Sequence, residues 1–97
     1  MLNDILSLMS SKELTAHIGQ KALLRRKHLM LSRKELSNKC GVSPSTINRL
    51  ETKGVATLHV LIKVAIALDS INTFQDLFKS PKARTLEEYA RQYESNT

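Results

Sequence analysis

The sequence predicts an all-α fold, a compact bundle of five helices with a short helical extension at each end. Three observations carry that reading. Apolar residues recur at three- and four-residue spacing in one segment after another, from Leu2, Ile5, Leu6 and Met9 near the start to Leu86, Tyr89, Ala90 and Tyr93 near the end. Most of these segments are preceded by a serine or threonine able to cap a helix: Ser10, Ser32, Ser43, Thr57, Thr73 and Thr85. The apolar residues are Leu, Ile, Val and Ala, with 4% aromatics and no Trp, which suits a helical core in a chain of 97 residues, one small domain's worth.

The elements follow in order. Residues 1–10 form an apolar helical extension that either folds onto the core or offers a contact to another chain. Ser10 or Ser11 opens the first core helix, with Glu13 as box partner to Ser10, and the helix runs to about His28. Leu14, Ile18, Ala22 and Leu29 trace its stripe, and Arg26 interrupts it, so this arginine needs a partner. Ser32 and Glu35 make a capping box for the second helix, on which Leu36 and Cys40 share a face. Gly41 stops it, because glycine enters the left-handed region without a Cβ penalty. Val42 is the apolar residue of the turn. Ser43 caps the third helix, and Pro44 takes its first position, where a missing N–H costs nothing. Ile47 and Leu50 are its buried face. A loop over Thr52–Ala56 follows, and Thr57 caps a mostly buried fourth helix with Leu58, Leu61, Ile62, Val64, Ala65 and Leu68. Thr73 is expected to cap a fifth, closed by Phe74, Leu77 and Phe78, with Pro81 ending the unit. Thr85 and Glu88 open an amphipathic tail helix. The expected organisation is thus an extension over 1–10, a domain over 11–80 and a tail over 81–97.

Two short helices joined across Gly41 make a helix-turn-helix of Leu31–Glu51. The outer face of its second helix carries Ser45, Thr46, Asn48 and Arg49, small and polar near the helix start. Such a face can enter a major groove, where arginine forks onto guanine and asparagine pairs with adenine. Charge agrees. Residues 12–53 hold ten Lys/Arg against three Glu, a net +7, whereas residues 54–97 hold five of each sign and sum to zero. The positive field therefore lies where a polyanion would dock.

Over roughly Ile18–Phe78 the chain resembles the Xre/Cro-type helix-turn-helix family of lambdoid phage repressors and many antitoxins. That resemblance implies a lambda-repressor-like bundle with Ser45 and Arg49 at base-reading positions and Arg33 on a DNA phosphate. Ser32, Ser43, Lys53 and His59 complete the expected phosphate contacts. It also implies a structural ion pair between Arg26 and Glu51, tying the first helix to the third. Pro44 stands where the phage repressors often have glutamine, so that contact does not carry over. Ser37 and Met30 replace the family's usual alanine and glycine.

No catalytic constellation is visible. The three glycines are isolated, no CxxC or HExxH occurs, and one cysteine gives neither an internal disulfide nor a metal cluster. His17 and His28 lack companions at ligand spacing. The expectation is a non-enzyme without cofactor, metal or small-molecule substrate. Asp4 stands where a signal peptide would be basic, and no stretch approaches membrane-spanning length, so the expected location is the cytoplasm, away from any membrane.

The function expected is a sequence-specific DNA-binding (auto)repressor acting as a homodimer on a palindromic double-stranded operator. The region from Lys53 to Gln92 resembles the HipB-like antitoxins encoded beside HipA-like kinase toxins, which implies such a toxin as partner. The stripe Leu86, Tyr89 and Tyr93 either docks that partner or packs back on its own chain. The alternatives are a phage-type repressor with no toxin, or an interaction module that keeps the fold and has lost DNA binding.

Overall fold

A computed structural model describes residues 8–79. Helix α1 spans Ser11–His28, α2 Arg33–Cys40, α3 Pro44–Lys53 and α4 Leu58–Ala67, and a 3-10 helix covers Asn72–Asp76. No strand occurs among the described residues.

Each α-helix starts on the hydroxyl that its sequence offers. Ser10 Oγ accepts from the Glu13 amide at 3.1 Å, Ser43 Oγ from that of Thr46 at 3.2 Å, and Thr57 Oγ1 from that of Val60 at 3.1 Å. At α2 the capping box is reciprocal: the Glu35 amide donates to Ser32 Oγ and the Ser32 amide donates to Glu35 Oε1, both at 3.0 Å. Two N–H groups that a helix end would leave orphaned are thereby satisfied. At the other ends, Gly41 and Gly54 take the left-handed conformation (φ 73° and 66°) and return their amides to Ser37 and Leu50. The third helix thus extends through Lys53, two residues further than the loop expected over Thr52–Ala56 allows.

The core is made where α2, α3 and α4 converge. Leu36, Ile47 and Val64 are fully buried, and Val42, Leu50, Ala67 and Leu68 join them. Burying a side chain of the Leu, Ile or Val size is worth about 1.5–3 kcal/mol, so these few residues supply much of the drive to fold. Ala22, Leu29, Leu31, Cys40, Val60 and Leu61 pack half-buried around them. Cys40 is a free thiol at the end of α2.

Helix α1 joins the bundle differently. Its buried residues are Gly19 and Arg26; the stripe of Leu14, Ala22 and Leu29 is only half-buried, and Ile18 is exposed. Gly19 lies against the last turn of α3: a Cβ there would run into the Leu50 carbonyl oxygen and lie 3.1 Å from the Gly54 Cα. Gly54 in turn lies against the backbone of Thr15 and Ala16. The two helices meet backbone to backbone. Arg25 Nε adds a tie to the C-terminal end of α4, donating to the Leu68 carbonyl at 3.1 Å, where a helix end favours positive charge.

The fifth core helix expected from Thr73 is replaced by the 3-10 helix. Asp69 turns the chain through a left-handed residue (φ 54°), and the next segment, NTFQD, has a single apolar side chain, Phe74. One anchoring residue in five cannot hold an α-helical turn to the core, and the tighter i to i+3 pattern results. Thr73 lies inside this element, which has no side-chain cap. Leu77 and Phe78 are exposed, Phe78 at 94%, so they do not close the bundle. Most of the N-terminal extension and all of the tail, including Leu86, Tyr89 and Tyr93, lie outside the described residues. The extension's described end, Leu8, is exposed.

Candidate nucleic-acid interface

Helix α3 has two faces. Ile47, Leu50 and Glu51 are buried, while Ser45, Asn48 and Arg49 are exposed on the opposite side. Arg49 and the Asn48 side chain make no hydrogen bond or ion pair among the described residues, so their donors are open to an incoming base edge. Pro44 and the small residues behind it keep the helix start narrow. Ser45, Thr46 and Arg49 line a shallow groove whose far wall is Val55, Ala56, Thr57 and Val60, the segment leading into α4. That wall was not legible in the sequence, because only the turn at Gly54 brings it beside the reading face.

The hydroxyls at the start of α3 form a cluster. Ser43 Oγ lies 2.8 Å from Thr46 Oγ1 and 3.2 Å from Ser45 Oγ. Thr46 is half-buried and engaged in this cluster, so of the four expected base-reading residues it is the one least presented to DNA. Ser32 Oγ uses an acceptor lone pair on its helix cap and keeps a hydroxyl proton to donate, whereas the Ser43 hydroxyl is shared within this cluster. Lys53 is exposed in the last turn of α3, and His59 in the first turn of α4.

Behind this surface lies a network of three charges. Glu51, with 1% of its side chain exposed, accepts from Arg26 Nε at 2.7 Å through Oε2 and from Arg26 Nη2 at 3.1 Å through Oε1. Arg26, 7% exposed, also donates from Nη1 to the Leu31 carbonyl at 2.8 Å. The fork–fork geometry and the carbonyl account for the buried guanidinium, which would be costly if unpaired. A third donor is Arg33, whose Nε reaches Glu51 Oε1 at 2.8 Å with its own side chain 40% exposed. Burial pushes the Glu51 carboxyl up, but the hydrogen bonds and charges of Arg26 and Arg33 outweigh it and hold the group below its ordinary range. Sequence reasoning gave Glu51 one partner and Arg33 none; Arg33 sits eighteen residues away with no spacing signal to link them.

Among the described residues no cluster of His, Cys, Asp and Glu could hold a metal ion, and no helix is long and apolar enough to cross a membrane.

The family model HTH_3, helix-turn-helix of the Xre/Cro-like type, matches residues 24–73, just over half of the chain. The chain belongs to this family. The match runs from the last turns of α1 to the 3-10 helix and includes the whole of α2, α3 and α4, hence the reading face and the Arg26–Glu51–Arg33 network. The helix-turn-helix family is one of DNA-binding transcription regulators. A search among curated proteins finds no match.

Proposed function

We propose that the chain is a sequence-specific repressor that reads an operator through Ser45, Asn48 and Arg49, with Thr46 contributing at the groove edge. The observation that carries this is the two-faced α3. Its inner face is locked into the core, and its outer face presents an exposed arginine and asparagine whose side chains make no hydrogen bond among the described residues. Ser32, Arg33, Ser43, Lys53 and His59 are the proposed phosphate contacts, in the half of the chain that carries the net positive charge.

One recognition helix reads only a few base pairs, so a domain this small gains useful affinity by pairing. The proposed form is a homodimer on an inverted repeat with half-sites about 34 Å apart or a multiple of it. A gel shift with the DNA upstream of the protein's own gene, against random duplex of equal length, tests the reading. Retardation of both at the same concentration would refute sequence-specific repression.

The antitoxin role rests on the resemblance of residues 53–92 to HipB-like proteins, and the tail stripe Leu86, Tyr89, Tyr93 is the proposed docking element for a HipA-like kinase toxin. Tyrosines suit such a role because they combine contact area with a polar tip. Truncation after Lys82 should abolish toxin capture and neutralisation and leave operator binding intact. Neutralisation by the truncated chain would exclude the tail as docking element.

A further inference from the structure

We propose that Glu51 is a positioning residue for the phosphate grip: it holds Arg33 by Nε alone and so presents the two Nη groups of that guanidinium as a fixed fork for one DNA phosphate. The proposal rests on the DNA-binding reading above and deepens it.

The argument starts from charge and valence. One carboxylate faces two guanidiniums, leaving a surplus of one positive charge. Arg26 is buried and uses Nε, Nη1 and Nη2 inside the protein. Arg33 is 40% exposed and has one side-chain hydrogen bond among the described residues, from Nε. The surplus charge and the unused N–H groups therefore both lie on Arg33, at the first position of α2. Arginine recognises phosphate best through parallel N–H groups in a plane. An arginine whose plane is already fixed by a carboxylate loses less side-chain entropy on gripping than one that is free in water.

A purely structural role for the Arg33 bond is the weaker account. Arg26 and Glu51 already form a complete bidentate pair, and an ion pair whose cation is this exposed adds little to stability. What the bond does supply is register. Glu51 lies on the recognition helix itself, two residues after Arg49. The phosphate fork and the base-reading arginine are thereby fixed to one rigid element.

The test uses the full chain and a duplex carrying a site selected by the wild-type protein from random DNA, with a scrambled duplex beside it. Affinity is followed by fluorescence anisotropy across a salt series, at a temperature where circular dichroism shows each variant folded. Arg33→Ala should lose about fivefold on both duplexes and lower the salt slope by about 0.9, the share of one phosphate. Arg33→Lys should keep the slope and still lose affinity, since a lysine cannot hold Glu51 and fork a phosphate together. Glu51→Gln should weaken binding when Arg33 is present and have no effect in the Arg33→Ala background. An equal loss in both backgrounds would show that Glu51 acts through the fold alone and would overturn the proposal. Should Glu51→Gln not fold, Arg33→Lys decides: wild-type affinity overturns the positioning role. An unchanged slope in Arg33→Ala also overturns it, while loss of binding in Arg49→Ala would still uphold the DNA-binding reading. Absence of binding by the wild type to any duplex removes both.

Discussion

Replacing Gly19 with alanine sets two effects of known size against each other. Gly19 lies inside α1, and in a helix interior alanine is favoured over glycine by about 0.8–1 kcal/mol. Propensity alone therefore predicts stabilisation. Against this, the new Cβ would collide with the Leu50 carbonyl oxygen and press on the Gly54 Cα at 3.1 Å. Both are backbone atoms, so no side chain can rotate away. The Leu50 carbonyl also accepts the Gly54 amide at 2.9 Å, the bond that ends α3, and a typical hydrogen bond of that kind is worth about 1 kcal/mol net. Forcing an extra methyl into a packed contact costs about 1–3 kcal/mol, and here the upper end applies. The sum is a net loss of about 2–3 kcal/mol. For a domain of this size that lowers Tm by about 8–24 °C. Thermal unfolding followed by circular dichroism measures it. Gly41→Ala is the control: a Cβ there meets nothing within 4 Å, and the cost is the left-handed conformation alone, about 1–2 kcal/mol. A Gly19→Ala protein that melts at or above wild type would refute the close approach of α1 and α3.

Glu51→Ala should destabilise by about 3–5 kcal/mol, because it leaves the Arg26 guanidinium buried without its carboxylate; apolar replacement of both residues should recover part of this, as urea unfolding will show. A Glu51 carboxyl held below its ordinary range is ionised in the folded state at pH values where the unfolded chain has taken up the proton, so its stabilisation is complete above the unfolded value of about 4.3 and is lost as pH falls through the lower folded one. The Tm of wild type should therefore drop below about pH 4 more steeply than that of the double apolar variant. Met30→Gly should raise stability by about 0.5–1 kcal/mol: Met30 is exposed at φ 59°, and relief of the left-handed strain exceeds the added freedom of the unfolded chain. Arg49→Ala should cost about 1–3 kcal/mol on the selected operator and far less on scrambled DNA, read by competition gel shift.

Much of this was legible in the sequence because helix ends are written locally. Ser32 with Glu35, Gly41, and Ser43 with Pro44 each fix their own turn, and the structure uses all of them. The two faces of α3 were legible for the same reason, as Ile47 and Leu50 lie one turn apart. The segment after Asp69 reads as an α-helix because Thr73 and Phe74 mimic a cap and an anchor, whereas no residue of Asn72–Asp76 is fully buried to hold a turn. Contacts between distant segments were not legible. Nothing in the spacing of Gly19 and Gly54 says that they face one another, and Arg33 looks like any surface arginine until Glu51 is beside it. Met30 takes a left-handed backbone, the conformation that suits the glycine expected there from the resemblance to the phage repressors.

The separation of the two faces of α3 bears on how such a regulator can diverge. Asn48 and Arg49 are exposed, so if they read bases as proposed, exchanging them should alter the preferred operator at little cost to stability. A duplicated gene can then drift to a new target without passing through an unfolded intermediate, and two paralogues in one cell can become insulated from each other by a few codons. Thr46 is the exception. Its hydroxyl is shared with Ser43 at 2.8 Å, so a change there disturbs the cap of the helix as well as its reading edge. Diversification should run fastest at positions 48 and 49 and slowest at 46.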